Sequence, residues 1–143
     1  MKPVTFDEYA AAITRLLPVA CRNTGQSGRV AAVLLSIYDS ENFHVPLVEL
    51  GCLDEDLYQA CITVIRGRIE VNLEPHRLIE NGEKVFKRLY DRWPGLCVEE
   101  RAKVRCRRCE GRGRVWSYNA DENDEGTLCT DCNGTGRVCS CRQ

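Results

Sequence analysis

The sequence predicts a mainly α-helical N-terminal domain of about four helices, followed by a small C-terminal module of β-hairpins organised by cysteines. Three observations carry this prediction. Apolar residues recur at helical spacing through roughly the first 95 positions, which places them on core-facing stripes. Six of the ten cysteines crowd between Cys106 and Cys141, and four of them fall in two matching motifs. Between these regions, at Pro94-Gly95, the large apolar residues thin out. The expected domains are therefore 1–95 and 96–143.

Thr5 and Glu8 form a capping box, in which each side chain satisfies an otherwise orphaned backbone N–H. Phe6, Tyr9, Ile13, Leu16 and Leu17 follow at helical spacing, and Pro18 is expected to end this first helix. A loop from Arg22 to Gly28 leads to a second helix over 29–38, with Val30, Val33, Leu34 and Ile37 on one face. The stretch 43–47 alternates but contains Pro46, so it reads as extended chain or an edge strand. Asp54 can cap a third helix carrying Leu57, Cys61, Val64 and Ile65, with Gly67 as its expected stop. Residues 68–73 alternate with period two and are expected to allow a short β-ribbon. A fourth helix starts at Pro75 and carries Leu78, Val85, Phe86, Leu89 and Trp93, with Gly82 as a point where it can split.

Hydrophobic residues make up 43% and charged residues 29%, the balance of a globular chain. The formal net charge of −1 supplies no overall field toward nucleic acid or anionic lipid. No apolar run reaches the roughly 18 residues of a membrane span, and no signal-peptide pattern opens the chain, so a cytosolic protein is expected. A disulfide scaffold fits this context poorly.

Beyond Cys97 the large apolar side chains are too few to offset an ordering cost of about 1.5 kcal/mol per residue. Something else must hold the segment. Residues 106–115 read C-x-x-C-x-G-x-G-R-V, and the same pattern returns at 129–138. Two residues between cysteines let a tight turn aim both thiolates at one ion. A following glycine accepts positive φ, and the second permits close backbone approach. Cys106, Cys109, Cys129 and Cys132 together make the closed tetrahedral set of one structural zinc ion.

The repeat resembles the cysteine-rich zinc domain of DnaJ-type chaperones, over about residues 106–138. Two copies stand here in place of four, which implies one zinc ion, and there is no His-Pro-Asp tripeptide. It is also similar to the paired finger of phage Q-type antitermination proteins, in which a long polar or acidic insert separates the halves. Here the insert is 119–126, with Asp121, Glu122, Asp124 and Glu125. The stretch 31–38 with Leu47, Leu53-Asp54 and Ala60 resembles a small uncharacterised domain of phage and other mobile elements.

Arg101, Lys103, Arg105, Arg107, Arg108, Arg112 and Arg114 form a basic run beside the first motif. Arg107, Arg108, Arg112 and Arg114, with Trp116, are candidates for partner or phosphate contact. The same cations can instead offset the net −2 charge of four thiolates and one Zn²⁺. Nine Lys/Arg against eight Asp/Glu over residues 97–143 favour this charge-balancing role. Cys139 and Cys141 can be further metal ligands or a tail without a metal role. Cys21, Cys52 and Cys61 are expected to be small buried hydrophobes. No phosphate-binding loop or nucleophile–base motif is present, so a non-enzyme is expected. With the phage resemblances, the expected activity is that of a phage or mobile-element accessory protein that binds and redirects a host protein or complex, such as a defence complex. A nucleic-acid-linked antitermination regulator is the alternative, and chaperone-like client binding a second. A homodimer face on the helical domain is compatible with either.

Overall fold

The computed structural model describes residues 1–117 and 125–139. The acidic insert apart from Glu125 and Gly126, and also Tyr118 and Cys141, lie outside the described residues. The chain divides into two compact units, Met1–Val98 and Glu99–Gln143.

The first unit is helical. Helix α1 (Phe6–Ala20) opens with the capping box, Thr5 Oγ1 accepting from the Glu8 N–H at 3.2 Å and Glu8 Oε2 accepting from the Thr5 N–H at 2.8 Å. It does not stop at Pro18. The exposed proline sits in the last turn, and the Cys21 N–H still reaches the Leu17 carbonyl at 3.1 Å. Helix α2 (Ser27–Tyr38) is central, with Val30, Ala31, Val33, Leu34 and Leu35 fully buried. Its start is tied down by Thr24, whose Oγ1 lies 2.8 Å from the Ser27 Oγ. After the short α3 (Leu47–Leu50) comes α4 (Glu55–Glu70), whose preceding Asp54 exchanges two hydrogen bonds with the Gln26 side chain.

Two expectations for α4 are corrected. Gly67 does not end it, and residues 68–70 are its last turn, so no β-ribbon forms across 68–73. A Cβ at Gly67 would lie 2.5 Å from the Tyr9 ring, so the glycine is there to let α1 and α4 approach closely. The helix ends instead with Asn72 in the left-handed region at φ 55°, a position that asparagine tolerates well. The fourth expected helix is split at Gly82, into a 3₁₀ turn (Pro75–Leu78) and α5 (Gly82–Arg92). A Cβ at Gly82 would meet the His76 carbonyl oxygen at 1.9 Å.

The core joins Tyr9, Ile13 and Leu16 of α1 to the buried face of α2, Cys61 and Val64 of α4, and Phe86 and Leu89 of α5. Tyr38 stacks on Phe86, and Phe43 packs edge-on against Tyr90. Phe43 also forms an isolated antiparallel bridge with Cys97, the extended pairing that its alternating stretch suggested. The Trp93 indole N–H donates to the Ala20 carbonyl at 2.9 Å, satisfying one carbonyl at the end of α1. Among the described residues no helix is long and apolar enough to cross a membrane. Helix α6 (Val98–Ala102) leads into the second unit.

The second unit contains four short strands: β1 (Lys103–Arg105), β2 (Arg114–Val115), β3 (Thr127–Leu128) and β4 (Arg137–Cys139). β1 pairs antiparallel with β4, and β2 with β3. The expectation was that each repeat folds back as its own hairpin. The ladders instead join one repeat to the other.

Candidate metal centre

Each C-x-x-C turn is closed locally. The Gly111 N–H donates to the Cys106 carbonyl at 3.2 Å and the Arg112 N–H to Cys109 at 3.0 Å. The second copy repeats this with Gly134 to Cys129 and Thr135 to Cys132, at 3.1 and 3.0 Å. The backbone then takes up positive φ at matched positions, Glu110 and Asn133 at 53° and 51°, Gly111 and Gly134 at 82° and 81°, Gly113 and Gly136 at 77° and 76°. The two copies thus have nearly the same conformation and face each other across a pseudo-two-fold axis.

The contacts between the copies obey the same axis. The Cys106 N–H donates to the Gly136 carbonyl at 2.8 Å, and the Cys129 N–H to the Gly113 carbonyl at 2.9 Å. A Cβ at Gly113 would stand 2.2 Å from the Gly134 oxygen, and one at Gly136 2.4 Å from the Gly111 oxygen. The second glycine of each motif is therefore required by the opposite knuckle as well as by its own φ. The arginine shared by both copies has a matched role. Arg114 Nη1 donates to the Gly126 carbonyl at 2.9 Å, and Arg137 Nη2 to the Lys103 carbonyl at 2.8 Å. Each clamps the strand that enters the other repeat.

This arrangement brings the four sulfurs together within 4.8 Å of one another, at residues no more than 6% exposed. Cys106 Sγ lies 3.8 Å from Cys129 Sγ, and Cys109 Sγ 3.7 Å from Cys132 Sγ. An ion bonded to four sulfurs at about 2.3 Å needs tetrahedral edges of about 3.8 Å, so the cluster fits a four-coordinate metal. Backbone N–H groups aim at the sulfurs, Gly113 at Cys109 and Gly136 at Cys132, both at 3.2 Å. Burial pushes the Cys129 thiol above the usual range, because it disfavours the charged form. At Cys109 burial acts in the same direction, but hydrogen bonds from Gly113 and the neighbouring cysteines outweigh it and lower the thiol. Four sulfurs this close cannot all be thiolates without a cation among them, and a bound metal would supply that charge.

The structure also separates the remaining candidates. Cys139 stands in β4 opposite Lys103, outside the four-sulfur group. Cys21 and Cys52 are exposed, which corrects the expectation of burial: both follow helix ends, where the chain is at the surface. Cys61 is buried as expected, and desolvation pushes its thiol up to about 11. Of the basic candidates, Arg107 is exposed, Arg108 pairs with Asp131 at 3.0 Å, and Arg112 lies 3.4 Å from Glu110. Arg114 is committed to its strand clamp. Arg108, Arg112, Arg114 and Trp116 nevertheless line one cleft, which Arg107 does not join. The Arg108–Asp131 pair was not foreseen, although it joins the same position of the two C-x-x-C motifs, where opposite charges were legible.

Fold and site together define a helical domain joined to a compact four-cysteine module able to hold a metal ion. The chain belongs to a family of unknown function (DUF7673), whose family model matches residues 10–94 and hence the helical unit. No curated protein and no solved structure matches the chain.

Proposed function

We propose that the C-terminal unit is a structural zinc module, and that the protein is a non-catalytic binding protein whose partner is another protein. The observation that carries the reading is the buried sulfur tetrahedron made by two repeats under one pseudo-two-fold axis. Sulfur-only ligands favour a soft or borderline ion, and zinc accepts the tetrahedral shape without a preference of its own. Four protein ligands leave no position for a substrate, so the ion's role is to hold a surface in shape. A thiolate site of this kind suits a reducing compartment such as the cytosol.

Two results favour a protein partner over nucleic acid. Lys103, Arg105, Arg108, Arg112 and Arg114 of the basic run each have a carboxylate or backbone-carbonyl partner within the unit. The formal net charge is −1. The similarity of the repeat to phage finger proteins, and of the helical part to a mobile-element domain, supports an accessory protein that engages and redirects a host protein. Metal analysis of the purified chain should find about one zinc per chain. A tagged pull-down from host lysate should retain a protein partner after nuclease treatment. Loss of every partner on nuclease treatment would sink the protein-binding reading.

A further inference from the structure

The cleft on the first knuckle has a composition that neither the metal nor the strand clamps explain. Its volume is about 360 Å³, and it is lined by Arg108, Arg112, Arg114, Val115 and Trp116 together with Cys109 and the acidic Glu110. The Arg108 and Arg112 side chains remain 52% and 64% exposed although each has a carboxylate nearby. Trp116 is 46% exposed at the same place, so an apolar face and two reachable guanidiniums share one concavity. Arginine and tryptophan are the residues that most often dominate protein-binding energies. A guanidinium fork matches a carboxylate with two parallel hydrogen bonds, which a single exposed ion pair such as Arg108–Asp131 does not fully use.

We propose that this cleft docks an acidic segment of a partner protein. Arg108 and Arg112 take a carboxylate of that segment, and Trp116 takes an adjoining apolar side chain. Arg114 holds the wall by clamping the residues before β3. The occupant is a peptide chain in preference to a nucleic-acid strand for two reasons. Glu110 and Asp131 stand beside the arginines and leave the cleft little net positive charge, so it can exchange one carboxylate partner for another but has no field to hold a continuous polyanion. Single-strand binding also relies on several stacking platforms along a basic groove, and this cleft has one aromatic residue. The proposal rests on the zinc reading for the rigidity of the knuckle, and names the partner chemistry that reading leaves open.

The test uses the full zinc-loaded chain and nuclear magnetic resonance of its backbone and arginine side-chain N–H groups. The probes are a short acetylated peptide of alternating glutamate and leucine, its glutamine counterpart, and a single-stranded oligothymidine. The glutamate peptide should shift the resonances of Arg108, Arg112 and Trp116, and bind roughly fivefold more tightly than the glutamine peptide. Arg112→Ala should lose about that factor. Asp131→Asn should gain affinity, because it removes the carboxylate that competes for Arg108. Equal binding of the two peptides, shifts centred elsewhere, or tighter binding of oligothymidine at about 0.15 M salt would overturn the proposal. Zinc is measured on the same samples. One zinc per chain with no preference for glutamate refutes the docking cleft alone, and glutamate binding at the cleft without zinc refutes the metal reading alone.

Discussion

The two units of this chain are held together by opposite means. In the helical unit, side chains from five helices and the Phe43 loop form one continuous core around α2, and no charged group lies within it. In the C-terminal unit the buried cluster is the four cysteines, with Val115 and Val138 packed against it among the described residues. Its strands are two or three residues long, below the length at which a sheet supports itself. Apolar burial spreads stability over many small contributions, so a single substitution should remove only part of the first unit's stability. The second concentrates stability at one point and should lose it all at once.

Removing the metal tests the contrast most severely. Chelation, or Cys106→Ser, should unfold the C-terminal unit and leave the helical circular dichroism nearly unchanged, since structural zinc contributes about 10–16 kcal/mol in comparable small folds. Acid should act in the same direction. Protons compete for the thiolates, so zinc affinity and the unit's order should both fall as pH falls, and should return when pH is raised with zinc present. A C-terminal unit that keeps its amide dispersion without metal would show that the two units do not differ as argued.

The next largest effect should come from Gly113→Ala. The new methyl would meet the Gly134 carbonyl oxygen at 2.2 Å, and a non-glycine residue at φ 77° costs about 1–2 kcal/mol by itself. Neither the backbone carbonyl nor the cysteine turn behind it can yield without moving a sulfur. Gly136→Ala should do the same from the other side, and the pseudo-two-fold axis predicts similar losses of zinc affinity for both. A large asymmetry between them, read by competition with a chelator, would show that the copies are not energetically equivalent.

Phe86→Ala brings the comparison to the helical unit. Deleting a fully buried aromatic ring that stacks on Tyr38 should cost about 3–5 kcal/mol. Urea unfolding of the helices should shift to a lower midpoint, while zinc content stays the same.

Features that rest on a local pattern were legible in the sequence. The Thr5–Glu8 box, the helical stripes and the C-x-x-C spacing each declare themselves within a few residues, and the structure places them as expected. What the sequence hid depends on a partner far along the chain. Each C-x-x-C-x-G-x-G copy reads as a self-contained hairpin, yet its flanking strands pair with the other copy, 23 residues away. The arginines at positions 114 and 137 look like part of a basic surface until their carbonyl acceptors are known. Gly67, the better cap by residue type, lies inside α4 against Tyr9, and it is Asn72 that takes the left-handed position after the helix.

Gly67 also supplies the smallest effect and the sharpest sign. In an exposed helix, Gly→Ala stabilises by about 1 kcal/mol, because alanine restricts the unfolded chain and favours helix. Here the added Cβ would lie 2.5 Å from Tyr9 Cγ and 2.6 Å from its Cδ2. Tyr9 is fully buried and its hydroxyl reaches the Leu73 carbonyl at 3.4 Å, so the ring has little room to retreat. Forcing a methyl into such packing costs about 1–3 kcal/mol, which equals or exceeds the helical gain. Gly67→Ala should therefore lower the urea midpoint of the helical unit and leave zinc binding untouched. The background Tyr9→Ala removes Cγ and the ring and leaves only the Cβ of residue 9, 2.8 Å from the added methyl, so Gly67→Ala should cost clearly less there. A double-mutant cycle without coupling would mean that α1 and α4 can separate at no cost. The helical unit would then hold its shape less rigidly than its continuous core implies, and the contrast with the metal-held unit would weaken from that side.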